Sequence, residues 1–198
     1  MDLYLIRHPE TIAPKGTCYG RTDFPLKYPV EDTADTTFAH LPPNFDHLVV
    51  SPAPRAVKLA NALLSKYNPN ENAYHTQLNR DERLLEMDFG DWDGKLWEEI
   101  PRKDTIPWMK DFVNARTPNG EAFTDLIKRV DQFLDDWKTH GALRENWEKT
   151  NKQKLNVMIV VCHSGPIRAI LCRLQGIPHE EAFKSPVDFG SVHKLTIP

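Results

Sequence analysis

Apolar residues occur along this chain in short runs that alternate with stripes of helical spacing. Residues 3–6, 48–50 and 157–162 form three apolar runs, and each is followed by polar residues with a proline close by. Runs of this length, bounded by turn residues, predict β-strands. The run at 157–162 is uninterrupted and rich in β-branched residues, which is typical of a central strand buried on both faces.

Helical stripes follow the second and third of these strands. Their apolar positions are Ala56, Leu59, Ala60, Leu63 and Leu64 in the first stripe and Ile167, Ile170, Leu171 and Leu174 in the second. The same spacing predicts a helix over residues 117–137, whereas residues 145–154 are polar and indicate a surface segment. Residues 192–197 alternate like a closing edge strand. Strands alternating with helices predict one domain, residues 1–198, built as a three-layer α/β/α sandwich.

Composition narrows the range of functions. A chain of 198 residues can bury the core of one domain, and a formal net charge of −3 argues against nucleic-acid binding. We find no signal peptide and no apolar span of membrane length, so no membrane association is expected. Three cysteines cannot all pair within the chain, which favours a reduced cytoplasmic setting.

Arginine and histidine residues stand where the predicted strands end. Arg7 and His8 follow the first strand, His163 follows the third, and Arg55 falls in the first turn of the helix after the second. Ligands bind beyond the carboxyl ends of strands in such sheets, so we expect the four side chains to converge. A cation at a helix amino terminus is unfavourable unless an anion binds there. The pattern predicts a phosphoryl site, with neutral His8 as nucleophile and its other ring nitrogen donating to a carbonyl oxygen.

Residues 82–94 combine several carboxylates with two glycines and predict an ordered loop. Calcium binding is a second interpretation of such a loop. The ligand spacing of an EF-hand is absent, however, and no cysteine or histidine cluster has zinc-ligand spacing. We therefore expect no metal site.

Residues 162–168 suggest a different phosphatase chemistry. Cys162, Gly165 and Arg168 fit the C-x-x-G-x-x-R spacing of cysteine-dependent phosphatases. Pro166 removes one of the backbone donors that such a loop needs, and burial in an apolar strand should raise the pKa of the Cys162 thiol. This interpretation ranks second because it leaves the other strand ends unexplained. A phosphate-binding regulator without turnover is a third interpretation.

Four motifs occur in order along nearly the whole chain. They are Leu5-Ile6-Arg7-His8-Pro9-Glu10-Thr11, Ser51-Pro52 through Arg55-Ala56, Leu85-Glu86 with Phe89-Gly90-Asp91-Trp92 and Gly94, and His163 with Gly165. Together they resemble the histidine phosphatase superfamily, which includes the cofactor-dependent phosphoglycerate mutases. The chain departs from the family pattern at Pro9 and Ser164, where glycine is usual. The resemblance implies a mixed, mostly parallel sheet with one antiparallel strand, and a reaction that needs no metal or organic cofactor.

The resemblance also implies a role for each matching residue. His8 would become transiently phosphorylated, while Arg7, Arg55 and a protonated His163 would hold the phosphoryl oxygens. Glu86 would protonate the leaving alkoxide and then accept a proton from the attacking water. Further substrate contacts are implied for Thr11, Gly20, Arg21 and Ser164.

Shorter strings resemble the α-ribazole phosphatase branch of the superfamily. They are Gly16, Cys18-Tyr19-Gly20, Asp23, Pro25-Leu26 and Pro118-Asn119-Gly120-Glu121. We expect a phosphomonoesterase that acts, as a monomer or homodimer, on a small phosphorylated substrate, α-ribazole 5′-phosphate of cobalamin synthesis. A sugar or glycerate phosphatase of the same family is kept as an alternative function. The aromatic residues Trp92, Trp97, Trp108 and Phe112 are interpreted either as a lid over the leaving group or as packing beneath a long connection.

Overall fold

A computed structural model of the chain describes residues 1–67 and 78–197 and contains a five-stranded sheet. Its strands are β1 (Asp2–Arg7), β2 (His47–Val50), β3 (Asn79–Arg80), β4 (Val157–Cys162) and β5 (Val192–Thr196), in the spatial order β3-β2-β4-β1-β5. All neighbours are parallel except β5, which runs antiparallel to β1. The sequence-based expectations of a mixed sheet and of a central strand at 157–162 are confirmed.

Helices cover both faces of the sheet. They are α1 (Val30–Phe38), α2 (Pro54–Tyr67), α3 (Arg102–Lys110), α4 (Phe123–Trp137), α5 (Ala142–Asn151) and α6 (Ser164–Gln175). Leu3 and Leu5 of β1 point to one face and pack with α4 and α6, while Tyr4 and Ile6 point to the other and pack with α1 and α2. This alternation follows from the two-residue period of a strand and produces the expected three layers. Within the part of the chain that the structure describes, no helix has the length and apolar character needed to cross a membrane.

Two of the expected elements differ in the structure. The helix expected over residues 117–137 begins only at Phe123, because the residues before it form a turn in which Asn119 has a φ of 56°. Gly120 of that turn packs so closely against Asp88 and Gly90 that a Cβ would lie 2.5 Å from the Asp88 carbonyl oxygen. The polar segment expected at residues 145–154 is mostly helical and belongs to α5.

Candidate active site

Four segments bring polar side chains to the carboxyl edge of the sheet. Arg7 and His8 lie at the end of β1, Arg55 in the first turn of α2, and His163 between β4 and α6. Glu86 comes from the loop after β3 and lines one cavity with Arg7, His8 and Arg55. His163 lies directly behind His8, with 5.0 Å between the ring centroids. The structure therefore brings together the five residues on which the expected chemistry depends.

His8 is held as a neutral imidazole. Its Nδ1 lies 2.7 Å from the carbonyl oxygen of Pro9, which can only accept, so Nδ1 carries the hydrogen. Its Nε2 accepts a hydrogen bond from Arg55 Nε at 3.3 Å and therefore keeps its lone pair. Burial, followed by the charges of Arg55 and Arg7, holds the pKa of His8 well below its ordinary value. The carbonyl acceptor expected for the second ring nitrogen is thus present, and it belongs to Pro9.

His163 is fully buried behind His8. Burial, together with His8 and the nearby arginines, lowers its pKa well below the ordinary value, which favours a neutral ring over the expected protonated one. Its Nε2 lies 2.7 Å from Ser51 Oγ, and that oxygen accepts from the Ala53 amide at 3.4 Å. Because a hydroxyl group both donates and accepts, either Ser51 or His163 can be the donor of this hydrogen bond. Nδ1 of the same ring is buried without a hydrogen-bond partner among the described residues.

Arg55 is buried in the first turn of α2 and makes hydrogen bonds to several partners at once. Besides His8, it donates to the carbonyl oxygens of Gly20 and Thr22 at 2.6 and 3.2 Å and to Asp23 Oδ1 at 3.0 Å. The unfavourable placement of a cation at a helix amino terminus is therefore offset by these oxygens and by the Asp23 carboxylate. The conflict is thus reduced by groups of the protein itself, and binding of an anion at this position stays a prediction.

Arg7 is held by the segment that leads into β5. Its Nη1 donates to the Val187 carbonyl oxygen at 2.6 Å, and the ring of Phe189 lies against the guanidinium, 3.7 Å from its central carbon. Its Nε is buried and has no hydrogen-bond partner within the described part of the chain. A buried N–H group of this kind is unfavourable unless an acceptor reaches it.

The Glu86 carboxylate is held at the amino terminus of α6. It accepts hydrogen bonds from the Gly165 amide at 3.1 Å and from the Ser164 hydroxyl at 3.1 Å, and its own backbone neighbour Met87 donates at 3.0 Å. Gly165 is required here, because a Cβ on it would lie 2.1 Å from Glu86 Oε1. Ser164, expected to contact substrate, lines the cavity around His8 and directs its hydroxyl hydrogen to Glu86.

Three other expected substrate contacts are not among the described residues that line the cavity around His8. The Thr11 hydroxyl is 3.0 Å from that of Tyr19 and faces a neighbouring cavity. Gly20 contributes its backbone to Arg55, and a Cβ on it would lie 1.8 Å from the Met87 carbonyl oxygen. Arg21 is part-exposed and lies 3.8 Å from the Glu121 carboxylate. These residues shape the loop beside the site.

The acidic loop is mainly structural. Asp93 accepts hydrogen bonds from the amides of Gly20, Arg21 and Thr22, at 2.9 to 3.0 Å, and so fixes the loop that receives Arg55. Asp88 accepts from the Gly90 amide at 2.8 Å. No group of three histidine, cysteine, aspartate or glutamate side chains is arranged to hold a metal ion in residues 1–67 and 78–197.

The cavity at His8 has a volume of about 190 Å³, and five of the side chains that line it are aromatic. We call these five residues the aromatic wall; they are Tyr19, Phe89, Trp97, Phe123 and Phe183. Both interpretations of the tryptophan segment apply in part. Trp97 lines the cavity, while Trp92 is buried and Trp108 stacks on Trp97 with 5.5 Å between ring centroids.

The cysteine-dependent alternative fits the structure poorly. Cys162 is fully buried at the end of β4, and burial raises the pKa of its thiol. Arg168 donates to the carbonyl oxygens of Ala182 and Ser185, at 3.2 and 2.5 Å, and stacks on Phe183. The guanidinium that such a mechanism needs at the phosphate is therefore engaged elsewhere.

An imidazole nucleophile beside two guanidinium groups and a carboxyl group can serve phosphoryl transfer, because the nucleophile attacks phosphorus while the cations stabilise the equatorial oxygens. Comparison with known proteins gives the class. Residues 3–198 match the family model described as "Histidine phosphatase superfamily (branch 1)", and the chain belongs to this superfamily.

Individual relatives are similar over nearly their whole length. The chain is 30% identical to a protein named putative phosphoserine phosphatase 2 of Hydrogenobacter thermophilus, over 98% of this chain and 88% of that one. It is 29% identical to the adenosylcobalamin/alpha-ribazole phosphatase of Escherichia coli, over 96% and 87% of the two chains. A solved structure of the alpha-ribazole phosphatase from Shigella flexneri superposes with a TM-score of 0.79 at 26% identity, covering 100% of this chain and 91% of that one. The chain is accordingly a phosphoric monoester hydrolase with a small phosphorylated substrate.

Proposed function

We propose that this chain hydrolyses α-ribazole 5′-phosphate through a phosphohistidine intermediate on His8. One observation carries the proposal: His8, whose Nε2 keeps its lone pair, lines one cavity with the two guanidinium groups of Arg7 and Arg55 and with the Glu86 carboxyl group. The two guanidinium groups can stabilise the charge on the equatorial phosphoryl oxygens while Nε2 attacks phosphorus.

The first half of the reaction transfers the phosphoryl group to His8. The Nε2 lone pair forms a bond to phosphorus as the bond from phosphorus to the ester oxygen breaks. Glu86, in its protonated form, gives its proton to the departing alkoxide, so the products are phosphohistidine, an alcohol and the Glu86 carboxylate. Arg7 and Arg55 stabilise the charge on the equatorial oxygens throughout.

The second half of the reaction returns the enzyme to its starting state. A water molecule takes the place of the alcohol, and Glu86 accepts a proton from it as its oxygen attacks phosphorus. The bond between phosphorus and Nε2 breaks, which releases inorganic phosphate and neutral His8. The hydrogen bond from Nδ1 to Pro9 holds the ring in the same tautomer in both halves.

The aromatic wall supports a planar, apolar leaving group. A cavity of about 190 Å³ is smaller than most ligand pockets, so a nucleoside-sized group would extend past its mouth, where Phe183 is 56% exposed. Stacking on such rings suits the benzimidazole base of α-ribazole. The similarity to two proteins named alpha-ribazole phosphatases points the same way.

Phosphoserine is the second candidate, because two relatives carry that substrate in their names. Its leaving group bears an ammonium and a carboxylate, each of which needs an oppositely charged partner. Of the described residues that line the cavity, only Arg7, Arg55 and Glu86 carry a formal charge, and all three belong to the reacting end. The aromatic wall offers no cation to pair with the carboxylate, so α-ribazole 5′-phosphate is the better fit.

A comparison of kcat/KM for α-ribazole 5′-phosphate, O-phosphoserine and 3-phosphoglycerate tests the choice of substrate. We expect α-ribazole 5′-phosphate to have the highest value. Trp97→Leu should raise KM for this ester and leave O-phosphoserine hydrolysis unchanged, because only the aromatic leaving group uses the ring. A higher kcat/KM for O-phosphoserine would contradict the substrate assignment.

Trapping the phosphoenzyme tests the nucleophile. Rapid quenching during turnover of a ³²P-labelled ester should give a protein adduct that is stable in alkali and labile in acid, as expected of phosphohistidine. His8→Ala should abolish the adduct, and Cys162→Ser should retain it. An adduct that survives His8→Ala would contradict the proposed mechanism.

A further inference from the structure

The segment from residue 187 to residue 191 surrounds the end of β1. The Arg7 amide donates to the Ser191 carbonyl oxygen at 3.2 Å, and the Gly190 amide donates to the Arg7 carbonyl oxygen at 3.1 Å. The Arg7 side chain is held by the same segment, through Nη1 and the Val187 carbonyl oxygen. Both the backbone and the guanidinium of Arg7 are therefore placed by residues 180 or more positions away in the chain.

Phe189 is the one side chain of this segment that touches two groups of the active site. Its ring centroid lies 3.7 Å from the guanidinium carbon of Arg7 and 5.5 Å from the ring centroid of His8. Stacking at this distance is favourable for a guanidinium, which is planar and weakly hydrated. Phe189 is nevertheless 39% exposed, so burial of the ring contributes little to holding it there.

The position of Phe189 is braced by α1. The neighbouring Gly190 carbonyl oxygen accepts a hydrogen bond from Thr37 Oγ1 at 3.0 Å. Gly190 has a φ of 70°, and a Cβ on it would lie 2.7 Å from Thr33 Cγ2. Only glycine allows this close approach to α1, and the turn it makes sets the ring of Phe189 against Arg7.

The stacked ring and the Val187 hydrogen bond together define the plane of the guanidinium. Once that plane is fixed, Nε has one direction in which to donate. Within the described part of the chain this Nε is the donor of Arg7 that stays buried without an acceptor. An oriented donor stabilises a transition state more than a mobile one, because no reorganisation is needed during the reaction.

We propose that Phe189 is a positioning residue, whose ring orients the Arg7 guanidinium toward the phosphoryl group and shields one side of His8 from water. The proposal rests on the function proposed above, in which Arg7 holds a phosphoryl oxygen and His8 attacks. Phe189 itself has no polar atom and takes no part in bond making.

The shielding has a consequence for the pH dependence of turnover. The groups with charge or a titrating proton that face His8 are Arg7 on β1, Arg55 on α2 and His163 after β4, with Glu86 across the cavity. Burial is the largest cause of the lowered pKa of His8. Removing the ring admits water to one side of the imidazole, so its pKa should rise toward the ordinary value and the acid limb of kcat/KM should move to higher pH.

The test compares Phe189→Leu, which removes the aromatic face, with Phe189→Tyr, which keeps it. Phe189→Leu should lower kcat/KM about tenfold, the factor expected from losing one cation–π contact of moderate strength, weaken inhibition by inorganic phosphate, and shift the acid limb upward. Phe189→Tyr should behave like the unmodified protein. Tyr28→Leu is the matched control, because Tyr28 is also an exposed ring beneath a cation, 5.2 Å from Lys27 Nζ, and lies outside the active-site cavity.

Two results would overturn the inference. Unchanged kcat/KM, phosphate inhibition and pH profile in Phe189→Leu would show that the ring orients nothing. Equal losses in Phe189→Leu and Phe189→Tyr would show that the effect comes from altered packing. Either result leaves the proposed function intact as long as the unmodified protein forms the acid-labile adduct on His8, whereas absence of that adduct refutes the function itself.

Discussion

Gly165→Ala isolates the contribution of Glu86 without changing any ionisable group. A Cβ at Gly165 would lie 2.1 Å from Glu86 Oε1 and 2.9 Å from Leu126 Cδ1. Leu126 is fully buried in the core, so it has little room to move. The Glu86 carboxylate therefore has to retreat from α6 by about 1 Å before the contact becomes tolerable.

The expected loss follows from that displacement. A misplacement of about 1 Å lowers the rate by roughly 100-fold, which corresponds to about 2.7 kcal/mol in the activation free energy. The loss should depend on the leaving group, because Glu86 is proposed to protonate the departing oxygen. An alkyl phosphate needs this proton, whereas nitrophenolate leaves readily without it.

The assay measures kcat/KM, which reports the steps up to formation of phosphohistidine, for an alkyl phosphate and for p-nitrophenyl phosphate with the unmodified protein, Gly165→Ala and Glu86→Gln. Both variants should lose about 100-fold on the alkyl ester and less than about threefold on the nitrophenyl ester. Thermal unfolding of each variant serves as the control for folding. Equal losses of kcat/KM on the two esters would refute the assignment of Glu86 as the acid, and unchanged kcat/KM on both would refute the geometric reasoning.

Three further predictions concern single side chains. His8→Ala should abolish turnover and Cys162→Ser should retain most of it; the opposite pattern would transfer the nucleophile to sulfur. Arg55→Ala should raise the activation free energy by about 3 kcal/mol, the usual effect of losing one preorganised donor, and a change in kcat/KM below about threefold would remove Arg55 from the mechanism. His47, whose pKa burial lowers to about 4, takes up its proton only on unfolding between that pH and about 6.5. Between pH 7 and pH 5 the unmodified protein should therefore lose about 2 kcal/mol of unfolding free energy through His47, and His47→Phe should not show this loss. Urea titrations at the two pH values measure the loss in each protein, and equal losses would contradict the prediction.

The positions of the strand ends could be predicted from the sequence because the signals are local. Apolar runs at 3–6 and 157–162 mark buried strands, and the residues just after them must emerge at the same edge of a parallel sheet. Arg7, His8 and His163 followed directly from this rule. The hydrogen bond from His8 to a carbonyl oxygen could also be expected, since a nucleophilic imidazole needs one defined tautomer.

Three helices could not be predicted from hydrophobic periodicity. In α1 only Ala34 and Thr37 are buried, in α3 only Thr105 is buried and Pro107 interrupts the helix, and in α5 no residue is buried. Hydrophobic periodicity reports one buried face, so helices that bury almost nothing leave no trace in it. Their positions are set by tertiary contacts, such as the hydrogen bond from Thr37 of α1 to the Gly190 carbonyl oxygen.

The partners of the site residues were also beyond prediction. Asp23, Ser51 and Phe189 each fix a reacting group, yet all three reach it from segments distant in the chain. Asp23 and Ser51 lie in the motifs that resemble the family, and this resemblance was the available reason to assign them a role. Phe189 lies in a short loop with no periodicity, and only the three-dimensional contact with Arg7 identifies it.

The charges of the site bear on how a phosphomonoester would be held. Of the two cations that line the cavity, Arg55 is already paired with Asp23, and burial holds the pKa of both histidines well below the ordinary value. A phosphomonoester brings about −1.5 to −2 charges into this cavity. Arg7 forms no salt bridge among the described residues, so under the proposed mechanism its charge is the one left to balance the phosphoryl group, which is why its orientation by Val187 and Phe189 matters.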